Sequence, residues 1–211
     1  MKKILIGAAA LVFTACSSGN KSLLFETDGV SQPPNNCAVN PKSFATVEAV
    51  ADFSEGNGCG VTHGYRLYAV DGIKLSQPAL VTCDVANTFH NWLQQSVLPQ
   101  ANQNYHARIT EIKIAASYSC RPRNNVQGAK LSEHGMGNAI DVAGFTFSNG
   151  KQITVLGDYN GARQDHAFLS AIRSEACGPF HTVLGPGSDQ YHNDHIHLDL
   201  QRERSGGPYC H

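Results

Sequence analysis

The sequence lacks a surplus of charge. Its 211 residues hold sixteen lysines and arginines against seventeen acidic residues, for a formal net charge of −1. So even a balance offers no electrostatic footprint for a polyphosphate, which argues against nucleic acid as a partner. Beyond the first fifteen residues no apolar run approaches the roughly 18 residues that a membrane-spanning helix needs. No two cysteines stand at Cys-x-x-Cys spacing, so the common thiolate zinc and redox motifs are missing. There is no internal repeat. What remains is a chain of 41 % hydrophobic and 16 % charged residues, enough to bury the core of a single domain. Ten histidines and seven cysteines are its unusual counts.

Lys2 and Lys3 precede an apolar run from Ile4 to Ala15, followed by Cys16-Ser17-Ser18-Gly19. A positive start, about a dozen apolar residues and a small residue before the cut describe a secretory signal peptide over residues 1–15. Cys16 directly after Phe13-Thr14-Ala15 resembles the lipobox of bacterial lipoproteins, in which the cysteine becomes the lipidated N-terminus. That resemblance implies export to the periplasmic face of the outer membrane, with membrane contact only through the lipid on Cys16. Residues 16–36 are rich in Ser, Gly, Asn and Pro and read as a flexible tether. The folded domain is expected over residues 37–211.

Six cysteines remain in that domain: Cys37, Cys59, Cys83, Cys120, Cys177 and Cys210. An even number in an exported chain predicts three disulfides. Fifteen pairings are open to six cysteines. Keeping the closed loops local gives 37–59, 83–120 and 177–210 as the expected set.

Val85, Phe89, Trp92, Leu93 and Val97 recur at helical spacing behind Asp84, a candidate N-cap, which predicts a helix ending near Pro99. Ile112, Ile114, Ala116 and Tyr118 alternate as in a half-buried strand. A second strand around Ile140–Phe145 meets Asn149-Gly150, a tight-turn pair, and returns through Ile153 and Val155. Arg163–Ala176 reads as a second helix with Gly178 just beyond its end. The last strand is expected over His195–Gln201. A few helices among hairpin-linked strands make the fold class α+β, with a small antiparallel sheet flanked by helices.

The chemistry concentrates in two segments. In Tyr191-His192-Asn193-Asp194-His195-Ile196-His197-Leu198-Asp199-Leu200, alternation sends Ile196, Leu198 and Leu200 to one face and His195, His197 and Asp199 to the other. The second is Leu131-Ser132-Glu133-His134-Gly135-Met136-Gly137-Asn138-Ala139-Ile140-Asp141. There a carboxylate sits on a strand of apolar and small residues, where it requires a cation or hydrogen-bond donors. Gly135 and Gly137 let the backbone turn so that His134 can approach it. His134, Asp141 and one histidine of the 195/197 pair form two imidazoles and a carboxylate, the ligand set of a catalytic zinc with one position open.

Ser-x-His-x6-Asp followed by His-x-His resembles the signature of the LAS zinc peptidases, and His192–His197 is similar to that of the penicillin-insensitive murein endopeptidases. The run from Cys37 to Cys210 resembles the bacterial extensin-like C-terminal domain family. Its marks here are Ser117–Arg121, Leu131–His134, Gly137–Asp141, Val183–Ser188 and His192–Leu200. The LAS resemblance implies a LAS-type zinc fold and one Zn²⁺ per chain, held by His134, Asp141 and His197. It places His195 beside the metal-bound water as proton carrier, with His192 as a further site residue. Asp194 is a second candidate base, although simple alternation puts it on the opposite face. Arg121 matches the arginine near the substrate carboxylate, and Ser132 either hydrogen-bonds substrate or shapes its loop. The implied activity is a zinc metallopeptidase acting on the peptides of peptidoglycan. The alternative is a catalytically silent zinc-bearing module that binds cell wall or a protein partner. His192 and His195 favour the enzyme.

Overall fold

Strand formation begins well before the segments in which the sequence pattern is clearest. The computed structural model of the chain describes residues 37–202 and 206–211, so the leader over 1–15, Cys16 and the tether over 16–36 lie outside the described residues. The described strands are β1 (Ala45–Val50), β2 (Phe53–Gly56), β3 (Cys59–Val61), β4 (Gly64–Val70), β5 (Ile73–Thr82), β6 (Ile109–Ala116), β7 (Ala139–Phe147), β8 (Gln152–Thr154), β9 (Thr182–Leu184), β10 (Ile196–Asp199) and β11 (Tyr209–Cys210). One nine-stranded sheet runs β1-β4-β5-β6-β7-β10-β9-β11 with β8 also on β7, while β2 and β3 form a separate hairpin.

The α+β class is as expected, but the sheet is neither small nor wholly antiparallel. β5 with β6, and β9 with β11, pair in parallel. Parallel neighbours need a crossover of a dozen or more residues, and the helical segment between Thr82 and Ile109 supplies one. The sheet is larger because residues 45–82 add three strands to it and because short strands carry little alternation to read.

The helices are α1 (Cys83–Trp92), α2 (Leu98–Tyr105), the one-turn α3 (Val155–Asp158) and α4 (Arg163–Ala176), with a π-helical turn at Leu93–Val97 joining the first two. Two expectations change here. The N-cap of α1 is Thr82, whose hydroxyl accepts from the Val85 amide, and Asp84 lies inside the first turn. The helical segment also continues past Pro99 to Tyr105. Pro99 occupies the first turn of α2, directly after the π-turn, where a missing N–H is tolerated. His106, at φ 48°, closes it. α4 spans the residues expected of it.

Tyr65, Leu67, Ile112, Ile114, Ile140, Val142, Ile196 and Leu198 join Phe89, Trp92, Phe168 and Ile172 in one buried core. The indole N–H of Trp92 donates to the Ile172 carbonyl at 2.9 Å, binding α1 to α4. The alternate residues of β7 and β10 therefore project from the sheet face turned away from this core.

Three disulfides staple the domain. Cys177–Cys210 joins the end of α4 to β11 as expected, but the other two link Cys37 to Cys83 and Cys59 to Cys120. The expected pairs 37–59 and 83–120 do not form. Sheet order, not loop length, brings cysteines within the 5.6–5.7 Å between Cα atoms of these two bridges. Cys37 lies at the start of α1, and the β2–β3 hairpin folds onto the loop that follows β6.

Candidate metal centre

Register explains how two of the residues singled out by sequence meet. β10 runs antiparallel to β7 with His197 opposite Asp141, Leu198 opposite Ile140 and Ile196 opposite Val142. Directly opposed residues share a face with their Cβ atoms about 5 Å apart. The aliphatic pairs enter the core, and the His–Asp pair faces away from it. His134 comes from a single 3₁₀ turn, Glu133–Met136, immediately before β7. Gly137 ends the turn at φ +65°, and a Cβ there would lie 2.9 Å from Val61. At Gly135 a Cβ would lie 3.0 Å from Leu131 and 3.2 Å from the Cys59 sulfur, so the turn rests on the Cys59–Cys120 bridge.

The result is a tight cluster. His197 Nδ1 lies 2.8 Å from Asp141 Oδ1, His134 Nε2 lies 3.1 Å from Asp141 Oδ2, and the two ring nitrogens are 3.2 Å apart. One potential ligand atom from each of the three residues lies within 4.8 Å of the others, so the group could hold a metal ion. All three are buried, at 1 %, 3 % and 7 % exposure for His134, Asp141 and His197. Charged groups so deep need partners or a metal. The outward nitrogens are also held: His134 Nδ1 donates to the Ser117 carbonyl at 2.7 Å, and His197 Nε2 donates to Asp199 Oδ2 at 3.0 Å. Such contacts fix which nitrogen each ring turns inward.

Charge complements geometry. Burial alone raises the pKa of Asp141, but the His197 and His134 rings outweigh it and hold the carboxyl well below its ordinary range. Burial likewise opposes charge on His197, yet Asp141 and then Asp199 push its pKa up to about 10. Both ring nitrogens of His197 face carboxylates, as a protonated imidazole requires. Glu133 is shifted upward, mainly by burial.

The cluster opens on a cavity of about 350 Å³, lined also by Arg121, Ser132, His192 and His195. His195 turns Nε2 toward the cluster, 3.5 Å from Asp141 Oδ2, and donates from Nδ1 to Asp194 Oδ1 at 2.7 Å. Asp194 lies ahead of β10, where strand alternation no longer applies, so its carboxylate reaches the outer side of His195 and not the cluster. His192 donates from Nδ1 to Asp189 Oδ1 at 2.7 Å, and its ring centroid is 5.2 Å from that of His195. Among the described residues the Arg121 side chain makes one weak hydrogen bond, to the Pro122 carbonyl at 3.5 Å, and Arg121 lines the cavity. All the expected site residues except the lipidation residue Cys16 and the disulfide cysteines thus gather here, Asp194 at one remove.

Sequence reasoning gave no role to Asp199, Asp189 or the Ser117 carbonyl. Asp199 was visible in the polar row of the last strand. Nothing in the sequence marks Asp189, which depends on a loop, or a backbone oxygen.

These features define a disulfide-stapled α+β domain with a possible His/His/Asp metal site. The chain belongs to the family described as Extensin-like protein C-terminus, which it matches over residues 35–211. It matches no curated protein and no solved structure.

Proposed function

We propose that this domain is an exported zinc-dependent peptidase of the LAS kind that hydrolyses peptide bonds of peptidoglycan, carried as a lipoprotein through Cys16 at the periplasmic face of the outer membrane. The observation that carries the reading is the convergence of His134, Asp141 and His197 beside a cavity that also holds His192 and His195. Two imidazoles and a carboxylate fit Zn²⁺, and no fourth side chain joins the group among the described residues. Held by His134, Asp141 and His197, such an ion would supply Lewis-acid chemistry, acidifying water and polarising a carbonyl.

The chain's own residues supply the rest. His195, braced by Asp194, takes up the proton released at the cluster and passes it to the leaving amine. His192 stands on the same side as a second polar contact. Arg121 pairs bidentately with a substrate carboxylate, and Ser132, which also lines the cavity, hydrogen-bonds the peptide. The three disulfides suit an oxidising compartment.

The test is mass spectrometry of muropeptides incubated with zinc-loaded and with chelated protein. Zinc-dependent cleavage of a stem or cross-link peptide is expected. Stoichiometric zinc without any cleavage would overturn the peptidase and leave a zinc-bearing binding module.

A further inference from the structure

Four imidazoles meet at this site, and each has a nitrogen held by an oxygen other than those of Asp141. His134 uses the Ser117 carbonyl, His197 uses Asp199, and His195 uses Asp194. The fourth contact is Asp189 with His192, which is not a proposed metal ligand, and Asp189 itself has had no role so far. Asp189 Oδ1 accepts twice, from the Tyr191 amide at 2.8 Å and from His192 Nδ1 at 2.7 Å. The preceding loop is pinned. Ser188 Oγ accepts from the Gly185 amide at 2.7 Å, and Arg173 donates to the Pro186 carbonyl at 2.9 Å and to Ser188 Oγ at 3.1 Å. The carboxylate that meets His192 is therefore carried on a fixed stretch of backbone.

His192 is buried and lines the cavity, yet its Nε2 has no hydrogen-bond partner among the described residues. The neighbouring ring differs, since His195 Nε2 lies beside Asp141. Two carboxylate–imidazole pairs within Asp189–His195 thus present one nitrogen to the cluster and one to open cavity.

We propose that Asp189 is a positioning residue that holds the proton of His192 on Nδ1, so that the bare Nε2 lone pair accepts a hydrogen bond from an amide or amino N–H of the substrate. The acceptor role deepens the peptidase reading and rests on it, whereas the tautomer follows from this chain's geometry alone. An imidazole free of such a partner favours its proton on Nε2, which would present a donor and repel the same N–H. The Asp189 contact inverts that preference.

Long-range proton–nitrogen correlations of histidine-labelled full-length protein, with and without zinc, read the tautomer directly. In the unsubstituted protein His192 carries its proton on Nδ1. Asp189→Ala moves it to Nε2, and Asp189→Asn, which keeps an acceptor oxygen, leaves it on Nδ1. Zinc content stays the same in both variants, since neither residue is a ligand. On a muropeptide that the protein cleaves, Asp189→Ala lowers kcat/KM by about 10–100-fold, as loss of an imidazole-orienting partner does, and Asp189→Asn restores most of it. A proton on Nε2 in the unsubstituted protein overturns the proposal, and so does a proton that stays on Nδ1 in Asp189→Ala. Should Asp189→Ala fail to fold, the tautomer of the unsubstituted protein still decides. Absence of any cleavage with the Nδ1 tautomer present would sink the peptidase reading and not the role of Asp189.

Discussion

Replacing Asp141 by Asn separates a metal site from an ion-pair network that merely holds the sheet together. Asp141 is shared by His197 at 2.8 Å, His134 at 3.1 Å and His195 at 3.5 Å, and is almost wholly buried. Unit charges at about 3 Å attract by roughly 5 kcal/mol at an effective dielectric constant near 20, and desolvation takes back several kcal/mol of that. Removing one partner of such a pair costs about 3–5 kcal/mol, because the other charge stays buried. At roughly 2–4 °C per kcal/mol for a domain of this length, metal-free Asp141→Asn melts about 10 °C lower. The zinc response is the second arm. At a free zinc concentration of about 100 Kd, a one-site ligand adds about 2.7 kcal/mol, which raises the melting temperature by roughly 5–10 °C. A neutral amide is a far poorer zinc ligand than a carboxylate, so that rise vanishes in Asp141→Asn. Scanning calorimetry with and without zinc, after chelation and with the disulfides intact, measures both arms, and elemental analysis counts the metal. A structural network alone gives the drop in the variant but no zinc response in the unsubstituted protein. Either that missing response, or a full one in Asp141→Asn, would refute the ligand assignment.

Two further outcomes follow from the same cluster. His195→Ala keeps its zinc, because the three ligand residues are untouched, while muropeptide turnover falls by about 10²–10⁴-fold; unchanged turnover would move proton transfer to another group. His197, with its pKa pushed up to about 10 by Asp141 and Asp199 against the effect of burial, is protonated at pH 7 without metal. Zinc binding at pH 7 must therefore expel about one proton, and affinity must strengthen as pH rises toward 10. Calorimetric titration in buffers of different ionisation enthalpy counts that proton, and a count of zero rejects His197 as a ligand.

The site was more legible than the fold because its logic is local. Period-two alternation placed His197 and Asp199 on one face and Ile196 and Leu198 on the other without reference to any other segment, and the same reading put Asp141 opposite Ile140 and Val142. Only the cross-strand register was missing, and the buried faces on both strands nearly fix it. α4 was legible for a similar reason: Phe168, Ile172 and Ala176 repeat at helical spacing, and Gly178 follows them. The failures lie where distance along the chain decides. Disulfide pairing depends on which strands lie between the cysteines, and no local pattern states that Cys59 sits under the His134 turn. Pro99 read as a helix end because the π-turn that accommodates it has no composition of its own. Asp194 was judged by extending alternation two residues ahead of the start of β10, into a bend where it no longer holds; its carboxylate meets His195 on the side away from the cluster.

The strand that ended sooner than its pattern suggested bears on the site itself. Val155 reads as the continuation of the hairpin return, but β8 stops at Thr154. The Thr154 hydroxyl accepts from the Gly157 amide at 3.2 Å, and Asp158 reaches back to accept from the Thr154 amide at 2.7 Å. These two bonds cap α3 and turn the chain away from the sheet. β8 pairs Gly144 with Thr154, so an extension of two residues would set Leu156 opposite Val142. Val142 is the residue that Ile196 of β10 takes as its partner. β8 and β10 thus divide one edge of β7 between them, and the cap at Thr154 keeps the hairpin clear of the half that carries Asp141. The geometry that brings His197 across from Asp141 is therefore secured partly by a threonine and an aspartate that touch neither residue.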